Sequence, residues 1–81
     1  MWKQGRYRLL GPQPLREGPG LQYPRIEEAD GLDRFGRLPG RTLVRVREIR
    51  SLSVSSWGRL DQGWICLETG ETIYAEPERA L

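Results

Sequence analysis

The sequence predicts an all-β fold, a small five-stranded barrel with irregular loops. Ten Gly and six Pro are spread over the 81 residues, and only residues 41–57 form a long window free of these helix breakers. Within that window Val44 and Val46 alternate with Arg45 and Arg47, so the two-residue period of a strand prevails, with the valines inward and the arginines toward water. Turn signals then recur at about the 8–12-residue spacing of small β-barrels and sandwiches.

Taken in order, Tyr7-Arg8-Leu9-Leu10 reads as a first strand. Residues 15–26 read as an irregular hairpin with Gly18-Pro19-Gly20 at its tip. Residues 27–36 form an acidic insertion holding Glu27, Glu28, Asp30 and Asp33. In the strand through Val44 and Val46, Glu48 falls where an inward residue is due, which predicts a bulge. Leu52-Ser53-Val54 reads as a further strand. Trp57-Gly58-Arg59-Leu60 and Gly63-Trp64-Ile65-Cys66-Leu67 flank Asp61-Gln62, the spacing of a hairpin in which Gly63 supplies a positive φ. After a turn at Thr69-Gly70-Glu71, Thr72-Ile73-Tyr74 gives a last strand, stopped by Pro77. One domain over residues 5–76 with flexible ends, 1–4 and 77–81, is expected.

Composition narrows the chemistry. The chain has no histidine and a single cysteine, Cys66, which excludes an intrachain disulfide, a His/Cys zinc site and any triad needing an imidazole base. The expected cofactor is none, and the expected chain is not an enzyme. A net charge of +2 is too small to indicate nucleic acid, and no recognised motif interleaves the arginines with stacking aromatics. Residues 9–15 lack charge but contain two prolines, so no membrane-spanning helix fits there. Met1-Trp2-Lys3 is not followed by an apolar signal region; the expectation is a cytoplasmic protein or a piece of a longer one.

Leu15-Arg16-Glu17-Gly18-Pro19-Gly20 with Tyr23 and Ile26, then Leu38-Pro39-Gly40-Arg41-Thr42 leading into Val44-Arg45-Val46, then Trp57-Gly58-Arg59 and Gly63-Trp64-Ile65, together resemble the bacterial-type Src homology 3 domain. The resemblance runs from about Tyr7 to Tyr74. It departs from the family pattern at the insertion of residues 27–36 and at Pro14-Leu15, where the family usually has Asn-Val. It implies a five-stranded barrel that binds peptides or, in secreted bacterial proteins, cell-wall cross-bridges, and it implies no catalysis.

The candidate ligand-binding residues are Tyr23, Trp57 and Trp64, flat rings that could line a groove between the 15–26 hairpin and the Trp57 turn, with Glu27, Glu28, Asp30 and Asp33 as an acidic lip steering a basic peptide. The plainer alternatives are rings that close the core, foremost Trp64 and Tyr7, and carboxylates that form a solvated loop. Phe35 either caps the barrel floor or protrudes. Glu68 and Glu71 read as solvated turn carboxylates, and Cys66, between Ile65 and Leu67, as a buried inert thiol. The chain thus reads as a noncatalytic binding module for a peptide or partner-protein segment, proline- or glycine-rich, monomeric when isolated and part of a larger protein. The alternatives are a peptidoglycan-targeting module of a secreted hydrolase or a structural subunit of a large assembly.

Overall fold

A computed structural model describes residues 2–78. Among them there is no helix, and eight short antiparallel strands run in the order β1 (Gly5–Leu9), β2 (Gln13–Pro14), β3 (Arg37–Leu38), β4 (Leu43–Val46), β5 (Glu48–Ser51), β6 (Ser55–Arg59), β7 (Trp64–Thr69) and β8 (Ala75–Pro77). They form three sheets, ordered β4-β1-β8, β2-β3 and β5-β6-β7. Hydrogen bonding therefore does not run continuously around a closed barrel, and the five-strand expectation gives way to eight shorter pieces. Single bridges, Arg16 to Trp64 and Glu68 to Ile73, join residues outside the named ladders.

The period-two pattern explains the central ladder. Tyr7 and Leu9 of β1 and Val44 and Val46 of β4 are all buried, while Arg6 and Arg45, which face each other across the ladder, are exposed. Those four join Leu15, Leu38, Leu60, Ile65, Leu67 and Ala75 in one core. The Tyr7 hydroxyl is satisfied within it: it donates to the Lys3 carbonyl (2.6 Å) and accepts from the Lys3 backbone N–H (3.0 Å).

At Glu48 the structure replaces the expected bulge with a change of partner. β4 pairs with β1, β5 pairs with β6, and the intervening Arg47 gives its N–H to the Arg59 carbonyl (2.7 Å). The alternation breaks there because the chain passes from one sheet to the next. A bulge does occur on β7: Ser56 pairs with Glu68 but Trp57 with Cys66, leaving Leu67 as the extra residue.

Several strand expectations are corrected. Leu52, Ser53 and Val54 are not a strand but the exposed tip of the β5–β6 hairpin, closed by the Leu52 N–H on the Ser55 carbonyl (2.7 Å). Around Thr72-Ile73-Tyr74 only Ile73 makes a bridge, and the last strand lies further on; Pro77 sits inside it opposite Tyr7, tolerated because β8 is an edge strand that need not donate outward. The hairpin of residues 15–26 is present, held by the Ile26 N–H on Leu15 (2.8 Å) and the Glu17 N–H on Pro24 (3.0 Å). At Gly63 a Cβ would lie 2.9 Å from the Arg16 carbonyl oxygen, so this position requires glycine because the 15–26 hairpin packs against it.

The ends expected to be flexible are partly tied. The Trp2 ring lies 5.5 Å from that of Tyr7 and its N–H donates to Glu68, while Glu78 gives its N–H to Arg6 (2.9 Å) and pairs with the Arg6 guanidinium. Met1 and residues 79–81 lie outside the described residues. No helix of the described residues is long and apolar enough to cross a membrane.

Candidate binding groove

β7 is buried on both faces. Ile65 and Leu67 enter the main core, while Trp64 and Cys66 face the other way and pack with Trp57 of β6 and the half-buried Tyr74. Gly58 makes this two-sided arrangement feasible: a Cβ there would press on Val46 at 3.0 Å and on Leu67 at 3.2 Å, so the strand approaches the core closely while Trp57 turns outward.

Above this second cluster opens a groove of about 630 Å³, within the about 300–1,000 Å³ of small-ligand sites. Trp57, Cys66 and Tyr74 border it from the cluster. One wall is the tip of the 15–26 hairpin, with Leu21, and another is the β5–β6 tip, with Leu52 and Val54; Gln13, Pro14, Arg16 and Glu71 complete the rim. Leu21 is 76% exposed and Val54 73%, an unusual price in solvation for aliphatic side chains standing on two facing tips.

Two of the polar groups around the groove brace its walls. The Trp57 indole N–H donates to Ser55 Oγ (3.0 Å), and the Arg16 guanidinium donates to the carbonyls of Tyr23 (3.0 Å) and Leu21 (3.4 Å), bracing the hairpin tip. Burial pushes the Cys66 thiol upward in pKa, partly countered by its contact with the Glu68 carbonyl (3.5 Å). It is a neutral packing group there rather than a nucleophile. Among the described residues no group of three His, Cys, Asp or Glu side chains is placed to hold a metal ion.

The candidates named from sequence separate into three places. Trp57 borders the groove but is only 3% exposed, and Trp64 lies beneath, packed with Trp57 and Cys66, with the Arg50 guanidinium 5.8 Å from its ring. Tyr23 lies outside that cluster, its ring over Gly18, where a Cβ would come within 2.5 Å of it. The third ring against the tryptophans is Tyr74. The four carboxylates do not border the groove. Glu27 and Asp33 border a second depression of about 600 Å³, with Arg25, Arg34 and Phe35.

Asp33 closes its own turn. Its Oδ1 accepts the backbone N–H groups of Phe35 (2.8 Å) and Arg37 (3.1 Å); the bond from Arg37 is the largest influence and lowers its carboxyl below the usual value, burial comes next and opposes it, and the Phe35 bond and the Arg37 and Arg34 charges lower it further. Glu28 and Asp30 are exposed, and the backbone carbonyl of Asp30, not its carboxylate, accepts from Gln62 (2.9 Å). Phe35 protrudes, 61% exposed, with the Arg34 and Arg37 guanidinium carbons 4.9 and 5.4 Å from its ring centre. Glu68 is half-buried under the Trp2 indole rather than free in a turn, whereas Glu71 is exposed.

Leu21, Leu52, Val54, Tyr74, Gln13 and Glu71 are groove residues that the sequence did not mark as ligand-binding. The signal available was aliphatic residues beside Gly or Ser at turn positions, namely Gly20-Leu21 and Leu52-Ser53-Val54.

Compared with family models, curated proteins and solved structures, the chain finds no match.

Proposed function

We propose that this chain is a noncatalytic binding module with a Src-homology-3-like arrangement of strands, and that it takes an extended, largely uncharged peptide segment in the groove over Trp57. The observation that carries this reading is the pair of facing hairpin tips whose aliphatic side chains, Leu21 on one and Leu52 and Val54 on the other, stand in solvent above an apolar cluster. A peptide laid between them removes that surface from water, which is the main driving force available to so small a module. The 15–26 hairpin, bridged to β7 at Arg16 and Trp64, supports the family resemblance as the place where one wall joins the sheet.

The groove favours a peptide over a cell-wall glycan. Sugar faces need open aromatic platforms, and Trp57 and Trp64 are both at least nine-tenths buried. Glu71 is the lone carboxylate at the groove among the described residues, so a ligand cation is not required. Affinity should be about micromolar or weaker, because a shallow surface must offset the ordering of a flexible peptide.

The test is titration of capped, uncharged peptides rich in leucine and glycine, followed by tryptophan fluorescence, against the wild-type chain and against Leu52→Ser/Val54→Ser. Both positions are exposed, so the variant should fold. Saturable binding that disappears in the variant supports the proposal; binding unaffected by it refutes the site.

A further inference from the structure

We infer that Gln13 reads the main chain of the bound segment, so that the groove selects a peptide with a free backbone N–H on the residue after its apolar side chain and rejects one with proline there. This rests on the peptide reading above and narrows it. Gln13 is held in β2 by pairing with Leu38 of β3, and Leu15, two residues on, is anchored in the core. Only 6% of Gln13 is exposed, and among the described residues its carboxamide has no hydrogen-bond partner. Solvent is the partner left to it, and a ligand's peptide group can take that place.

The carboxamide is not sealed off either. The one sealed side-chain polar atom without a partner is Nε of Arg37, so the Gln13 amide keeps a narrow contact with solvent, and the cavity that Gln13 borders is the groove. A carboxamide offers one acceptor and two N–H donors on a planar unit. In an extended segment the N–H and C=O of one residue point to the same side, so the carboxamide can accept from that N–H and donate to that C=O in a paired contact. The charged neighbours do not compete for this role. Arg16 is braced through Nη1 on the Leu21 and Tyr23 carbonyls, and Glu71 is the one carboxylate at the groove among the described residues. An aliphatic residue between Leu21 and Val54 with its adjoining peptide group on Gln13 satisfies both the apolar walls and the unpartnered amide.

The test uses the full chain and three probes: acetyl-Gly-Leu-Gly-Leu-Gly amide, the two depsipeptides in which one Leu–Gly amide is replaced by an ester, and acetyl-Pro-Leu-Pro-Leu-Pro amide. The readouts are affinity and the Gln13 side-chain NH₂ resonances. The all-amide peptide should shift those resonances, and one ester and the proline peptide should bind about tenfold more weakly, the loss of one desolvated hydrogen bond. Gln13→Leu should bind the amide and ester peptides alike, with a thermal midpoint no lower than wild type. Equal binding of amide and ester peptides by wild type overturns the role of Gln13 while leaving the groove intact, and this comparison stands even if the variant fails to fold. Binding of none of the probes overturns both.

Discussion

The two depressions, of about 630 and about 600 Å³, are almost equal in size and opposite in how their side chains are engaged. Around Phe35 the polar groups answer one another: Asp33 caps the turn, the Gly36 N–H returns to Asp33 (2.9 Å), and Arg25 donates to the Phe35 and Gly36 carbonyls (3.2 and 3.3 Å). Around Trp57 the walls are aliphatic and bare. A dense run of charge in the sequence therefore produced a loop whose backbone is tied by Asp33 and Arg25, although Arg37 Nε beside Phe35 is buried without a partner, while the bare aliphatic surface came from separate hairpin tips. We propose recognition in the second region, because its aliphatic surface has more to gain from a partner.

The largest effect should come from the support beneath both regions. Val46 is 1% exposed in the main core, and Val46→Asp should unfold the chain, since an unpaired buried charge costs several kcal/mol of the roughly 5 that so small a core supplies. Circular dichroism in a denaturant series measures it. Trp57→Ala should come next, at about 3–5 kcal/mol, because the ring is buried against Trp64 and Cys66. A loss of binding in that variant would consequently report folding, which is why the exposed pair Leu52 and Val54 is the better probe of the groove.

The Phe35 loop should respond to acid. The carboxyl of Asp33 is held below 3.8 in the folded chain, so its contribution is present above that value and is lost as pH falls through the folded pKa. Asp33→Asn should lower the thermal midpoint at neutral pH and flatten the acid limb of stability, with no change in groove binding. An unchanged acid limb would show that the cap does not matter. The smallest effect is expected from Glu27→Lys with Glu28→Lys: both are exposed, neither has an ion pair among the described residues, and stability should stay within about 0.5 kcal/mol. Peptide affinity and its salt dependence should be equally unaffected, where an acidic steering lip would require a clear loss.

The same contrast explains what was legible in the sequence. Alternation at Val44–Val46 and the Asp61-Gln62 spacing report local backbone geometry, and the two valines are buried and the strands flanking Asp61-Gln62 are paired as that geometry demands. The all-β class follows from such local signals. Leu52-Ser53-Val54 carries the same alternation but sits at a hairpin tip, because strand propensity does not say where a ladder stops. Division into three sheets depends on the partner change at Arg47, a tertiary event that shows in sequence only as a slipped period. At the site, Trp57 was legible as an aromatic beside a turn, but Tyr74 rather than Tyr23 completes its cluster. The distance between residues 23 and 57 along the chain fixes nothing about their packing. Leu21 was invisible for the same reason, since exposure on one tip acquires meaning only when another tip faces it, and Gln13 because its burial in β2 depends on the tertiary fold.

The most direct test is a backbone amide map of the full chain titrated with acetyl-Gly-Leu-Gly-Leu-Gly amide. Shifts concentrated on Leu21, Gln22, Leu52, Val54 and Tyr74, together with the Trp57 indole, are the predicted result. Shifts centred instead on Arg25, Arg34, Phe35 and Gly36 would place recognition in the other depression and contradict the assignment.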